Sequence, residues 1–172
     1  MMVRGSGTRQ NSMVEAIRAR YRPEQITTLF VGESAPHSGD FFYTGNTLML
    51  RYMKQAVEDV LGAGDDFLTT FKGYGWYLDD LVLDPVNHLT EPERKAACVK
   101  AQSSLAARIE QYRPRAIVCL LRRIDGVVRG AMTTAGSDAV WYAVPFPGMG
   151  TQVKFHIAMQ KIAPGLPRLE AR

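Results

Sequence analysis

The side chains able to do chemistry fall in a few short stretches. Glu33 follows Gly32 at the end of the run Thr28-Leu29-Phe30-Val31, and the next dozen residues add His37 and the consecutive aromatics Phe41, Phe42 and Tyr43. Asp79 and Asp80 interrupt a second apolar run, and Asn87 and His88 lie just beyond it. Arg122 and Arg123 close a third run, while Phe146 and Met149 sit in Pro145-Phe146-Pro147-Gly148-Met149-Gly150, a few residues before Lys154. A carboxylate beside a cleft can orient water or oppose positive charge developing on a sugar. A histidine moves protons near neutrality, an aromatic ring stacks on a planar base, and arginine or lysine holds phosphate. Each residue also has a plainer role. Glu33 can cap loop N–H groups, Phe42 can pack in the core, and Asp80 can face a helix N-terminus. Asn87 suits a turn, His37 and His88 suit solvent, and Arg122, Arg123 and Lys154 suit an ordinary charged surface.

The elements that must position these residues alternate in kind. Thr28 to Val31 has the unbroken apolar character of a strand buried on both faces. Trp76 to Leu83, Ala116 to Leu121 and Ala139 to Val144 repeat that signature, with the two aspartates of the second run unexpected inside a strand. Between them lie helical patterns. One covers residues 12–21. Another, capped by Thr44 or Asn46, buries Leu50, Met53, Val57 and Val60, and a short one spans Asp66 to Lys72. A long helix begins at the Thr90 and Glu93 capping box and carries Cys98, Ala101, Leu105, Ile109 and Tyr112 inward until Pro114. A weaker pattern covers residues 124–132, and residues 151–162 form the last helix. Strands separated by helices predict an α/β fold, a three-layer sandwich around a four-stranded parallel sheet. In such sheets ligands bind beyond the carboxyl ends of the strands, which would gather the Glu33, Asn87, Arg122 and Phe146 loops along one edge.

Bulk properties narrow the classes. The 172 residues, 46% of them apolar, suit one globular domain over residues 11–172, preceded by a polar, glycine-containing disordered tail at residues 1–10. No apolar run is long enough for a bilayer and the start has no signal-peptide core, so a cytoplasmic protein without membrane contact is expected. Two cysteines, Cys98 and Cys119, are too few for a disulfide framework or a metal site and are expected to be reduced core residues. The net charge of +4 leans toward a polyanionic partner, though plain surfaces share that balance.

In order and spacing, residues 27 to about 160 resemble the uracil-DNA glycosylase superfamily, most closely its iron-sulfur branch. Gly32-Glu33-Ser34-Ala35-Pro36 is similar to that branch's Gly-Glu-Ala-Pro-Gly motif, and Phe42 to Leu50 resembles its Pro-Phe-Val-Gly segment leading into a helix. Tyr77-Leu78-Asp79-Asp80-Leu81-Val82, Pro85, Asn87 and Glu93-Arg94-Lys95-Ala96-Ala97-Cys98 follow its second strand and next helix, and Arg113-Pro114-Arg115-Ala116-Ile117-Val118 follows its third strand. The resemblance implies hydrolysis of the N-glycosidic bond of a flipped base in DNA, with Glu33 at the sugar and Phe42 stacked on the base. It also implies that Asp80, Asn87 and Phe146 lie around that base, that Met149 is an apolar wedge, and that Arg122, Arg123 and Lys154 contact phosphate.

Three departures shape that expectation. Phe146 replaces the histidine that precedes proline in the family's second motif, leaving His37 and His88 as the nearby candidates for a proton donor. Asp80 stands where the family reads uracil with asparagine, and an ionised carboxylate only accepts hydrogen bonds. Only Cys98 matches a cluster ligand, and a cluster needs four thiolates, so neither an iron-sulfur centre nor any other metal or cofactor is expected. The leading expectation is a monomeric DNA glycosylase. Its alternatives are an inactive nucleic-acid or nucleotide binding module of the same fold, and a hydrolase of free nucleosides.

Overall fold

The computed structural model describes residues 6–170. Four strands, β1 (Thr28–Gly32), β2 (Trp76–Asp80), β3 (Ala116–Cys119) and β4 (Val140–Ala143), form one all-parallel sheet in the order β2-β1-β3-β4. Thr28 pairs with Trp76 on one side and Ala116 on the other, and Ala116 in turn pairs with Val140. β1, β2 and β3 are buried almost throughout, which their continuous apolar runs require, whereas β4 is an edge strand and half exposed.

Parallel neighbours need crossovers, and right-handed ones fix the faces. β1 connects sideways to β2 through α2 (Leu48–Leu61) and α3 (Phe67–Gly73). The chain then reverses direction, passing over β1 to β3 through α4 (Glu91–Lys100) and α5 (Gln102–Tyr112), and continues to β4 through α6 (Asp125–Thr134). These moves put α2 on one face and α5 and α6 on the other. The packing agrees, since α2 packs on the last helix, α7 (Gln152–Ile162), and α5 packs on α6. The result is the three-layer arrangement predicted from the order of elements.

Several boundaries differ. The first helix, α1, spans Ser6–Arg20, so Ser6 to Gln10 are helical, while residues 1–5 of the expected tail lie outside the described residues. The helix expected from Thr90 to Tyr112 divides at Ala101, whose N–H is shared between the carbonyls of Ala97 (3.1 Å) and Cys98 (3.2 Å), a local tightening of the turn. Thr47, not Thr44 or Asn46, caps α2 by accepting from the Leu50 N–H at 3.3 Å. Thr44 is already engaged, donating from its hydroxyl to the Phe41 carbonyl at 2.8 Å. The Thr90 box is present, with both the N–H and the hydroxyl of Thr90 donating to Glu93.

Tyr43 covers the free edge of β2. Its phenol accepts from the Leu78 N–H at 2.7 Å and donates to the Leu78 carbonyl at 3.1 Å, replacing the pairing that a further strand would give. The opposite pole of the sheet is tied down by the chain after α7. There the Pro167 carbonyl accepts from the Thr27 hydroxyl (2.8 Å), the Thr28 hydroxyl (3.0 Å) and the buried Trp76 indole (2.9 Å). Trp141, half buried on β4, lies under the Arg129 guanidinium.

Candidate functional site

Because β1 sends its chain first to one neighbour and later to the other, the crevice beyond the carboxyl ends of β1 and β3 is a topological switch point, where open α/β sheets hold ligands. A cleft of about 520 Å³ opens there. Phe41, Phe42, Leu78, Leu120, Leu121 and Phe146 supply most of its apolar lining, and Glu33, Asp80, Asn87, Arg94 and Arg123 bring polar groups to it. This is the composition of a small-molecule pocket, mostly apolar with a few convergent polar groups.

Glu33, placed by the end of β1, is buried and fully engaged. Both of its oxygens accept from the Arg94 Nε at 3.0 Å, and the Arg94 and Arg123 Nη2 groups add further charge-assisted bonds. The Cys98 thiol donates to Oε1 at 3.6 Å. Arg94 and Cys98 share one face of α4 (i, i+4), and Arg123 comes from the turn after β3, where it also meets Glu91 at 3.2 Å. Burial, followed by the Glu33 charge, pushes the Cys98 thiol up to about 11. Burial disfavours the Arg123 charge, but Glu33 outweighs it and holds that guanidinium above its ordinary pKa.

The two aspartates of β2 are explained by buried arginines. Arg18 of α1, 1% exposed, donates to Asp80 Oδ2 at 2.9 Å and stands 3.7 Å from Asp79 Oδ1. Arg108 of α5 reaches Asp79 Oδ2 at 2.5 Å and the carbonyls of Asp80 and Leu81 at 2.8 and 3.1 Å. The two buried acids face two guanidiniums, with the partly exposed Glu15 also 3.3 Å from Arg18, and such pairing is how charges are accommodated inside a fold. Burial raises the pKa of Asp80 above the ordinary carboxylate range, against the pull of Arg18. Burial opposes the Arg18 charge as well, yet Asp80 and Asp79 hold its pKa above the usual arginine value.

The cleft brings together Glu33, Phe42, Asp80, Asn87, Phe146 and Arg123 from the expected site. Phe42 is 4% exposed and packs edge-on against Tyr43, so it serves the core and the cleft wall at once. His37 and His88, expected as proton donors, are not among the lining residues. Asn87 Oδ1 accepts from the His37 backbone N–H at 3.0 Å, and the two exposed rings meet each other edge to face with centroids 5.0 Å apart. Arg122 and Lys154 are exposed surface residues outside the cleft, and Met149 stands fully exposed with a left-handed φ of 54°.

Arg18, Arg94 and Arg108 were not expected at the site. Their signal was present: two acids inside a buried strand require cations, and Arg18 follows the buried Val14 by four residues on α1. No cluster of three or more metal-ligating side chains forms among the described residues, Cys98 and Cys119 are free, and no helix among them is long and apolar enough to cross a membrane. No protein-family model matches the chain, and no curated protein is significantly similar to it.

Proposed function

We propose that the cleft receives a single unstacked base of a nucleic acid, as the resemblance to uracil-DNA glycosylases implies, and that the residues in their present arrangement hold the base rather than cleave its glycosidic bond. The observation that carries this reading is the state of Glu33. Both of its oxygens are bound to Arg94 and Arg123, so it has no lone pair directed at a water and its charge is already neutralised. No histidine lines the cleft to donate to a departing base. What remains suits binding: aromatic walls for stacking, and Asp80 and Asn87 for the edge of a base.

A second reading, release of the base, is supported by the exposure of those arginines, 26% for Arg94 and 37% for Arg123. Phosphates competing for them would free Glu33 beside the sugar, turning a closed carboxylate into a working one. One pair of measurements separates the readings: anisotropy of a labelled single-stranded oligonucleotide, and abasic-site formation on the same strand carrying different damaged bases. Binding without base release is expected from the native protein. Robust release that Glu33→Gln abolishes would establish the enzyme, and an absence of binding would remove both readings.

A further inference from the structure

We propose that the outer edges of Arg94 and Arg123 form an oxyanion site at the rim of the cleft, held in the free protein by Glu91, which a phosphate group displaces. The site stands on the geometry of these residues and of Glu33. Assigning it to the phosphate of a nucleotide rests on the base-binding reading above.

Glu33 orients both guanidiniums from inside. Arg94 turns its Nε and Nη2 to that carboxylate and Arg123 turns its Nη2, which leaves the Nη1 group of each without a bond to it. The two Nη1 groups converge on one atom. Glu91 Oε1 lies 3.2 Å from Arg123 Nη1 and 4.0 Å from Arg94 Nη1, and Glu91 Oε2 lies 3.4 Å from Arg123 Nη1. Within this group two guanidiniums face one buried carboxylate, so one positive charge is left for an anion on the outer side.

Glu91 holds that place weakly. It is the first residue of α4, its side chain is 78% exposed, and it lies outside the cleft lining. Among the described residues Arg123 is its only hydrogen-bond partner, and an exposed pair of this kind contributes little. Glu33 is buried and held by both arginines, so it cannot leave without stranding a charge in the interior. An entering oxyanion therefore exchanges with Glu91 and leaves Glu33 in place. Phosphate suits the exchange because its oxygens accept from two guanidiniums at once, and Arg94 and Arg123 both line the cleft.

Calorimetric titrations at fixed ionic strength with inorganic phosphate, thymidine and thymidine monophosphate test the site. Glu91→Gln should bind inorganic phosphate about two- to five-fold tighter than the native protein, the scale of one exposed ion pair. Glu110→Gln makes the same change of charge at an exposed position near the end of α5, at the opposite pole, and should leave phosphate affinity at the native level. Arg123→Gln, provided its circular dichroism is native, should weaken phosphate binding about ten-fold or more, the scale of a lost hydrogen bond to a charged group. Thymidine monophosphate should bind more tightly than either of its parts and should gain from Glu91→Gln, whereas thymidine should not. Phosphate binding that is absent, unaltered by Glu91→Gln, or raised equally by Glu110→Gln would overturn the site. Thymidine that never binds, with its monophosphate no tighter than inorganic phosphate, would remove the base-binding reading and leave the oxyanion site standing with free phosphate as its ligand.

Discussion

Arg18 Nη2 lies 2.9 Å from Asp80 Oδ2, with both side chains buried and 62 residues of chain between them. The contact ties α1 to the end of β2 and so to the cleft. Removing the cation leaves two acids facing the charge of Arg108 alone. Arg18→Met should therefore cost about 3–5 kcal/mol, the usual result of leaving a buried charge uncompensated. Urea denaturation followed by far-ultraviolet circular dichroism measures it, and an unchanged midpoint would show that the pair contributes nothing.

Nucleic-acid affinity should fall steeply with salt, because each neutralised phosphate releases condensed counterions. Arg122 is exposed at the end of β3 and free of the Glu33 cluster, which suits a phosphate contact. Arg122→Ala should weaken binding to all sequences alike and reduce the slope of log affinity against log salt by about 1. An affinity indifferent to salt would remove phosphate from the account.

Phe146 lines the cleft and is 43% exposed, so a smaller imidazole fits there without opening the core. The resemblance places a base-stabilising histidine at this position. With Glu33 held by Arg94 and Arg123, Phe146→His alone should create no base release, whereas under the base-release reading it should raise release about 100-fold, the worth of one anion-stabilising donor. An abasic-site assay on single-stranded substrate reads the change directly, with Phe146→Leu as the control for lost stacking.

The two thiols should be silent in the native protein. Burial and Glu33 push Cys98 up to about 11, and burial pushes Cys119 up to about 11. At about pH 8 an aromatic disulfide reagent should consume neither in the folded chain and both in urea. Rapid reaction of one thiol in the native state would show that the α4 face opens at the cleft.

Asp66 caps α3, accepting from the Thr69 N–H at 2.9 Å and from its hydroxyl at 2.5 Å. The hydroxyl and the N–H lower its pKa below the ordinary 3.8. A carboxylate lowered by folding stabilises the native state above its unfolded pKa and loses that effect as pH falls through the folded one. Asp66→Ala should thus cost about 1 kcal/mol at neutral pH, as a lost cap does. The gap between variant and native melting temperatures should shrink once the pH drops well below 3.8.

The sheet could be anticipated because each strand is a short apolar run set between helical patterns, and parallel pairing then follows from the crossovers. The edge that carries the cleft was equally legible, since it depends only on strand direction. The chemistry inside it was not. Glu33, Arg94 and Arg123 come from three separate segments, and no local pattern announces that a carboxylate and two guanidiniums will saturate one another. His37 and His88 illustrate the converse: their proximity was foreseeable, but the bond from the His37 backbone to Asn87 leaves their rings in solvent. Asp79 and Asp80 were the one irregularity that pointed inward, toward partners on α1 and α5 that only the folded chain identifies.

The hydrogen bond from the Trp76 indole to Pro167 gives the protein a built-in optical division of labour. The chain has two tryptophans, Trp76 at the pole opposite the cleft and Trp141 on the outer strand beneath Arg129, and neither lines the pocket. Indole emission will therefore register the unfastening of the segment around Pro167, and filling the cleft will leave it unchanged. A titrant that changes that emission has loosened the fold, whereas one detected only through its own label has found the site.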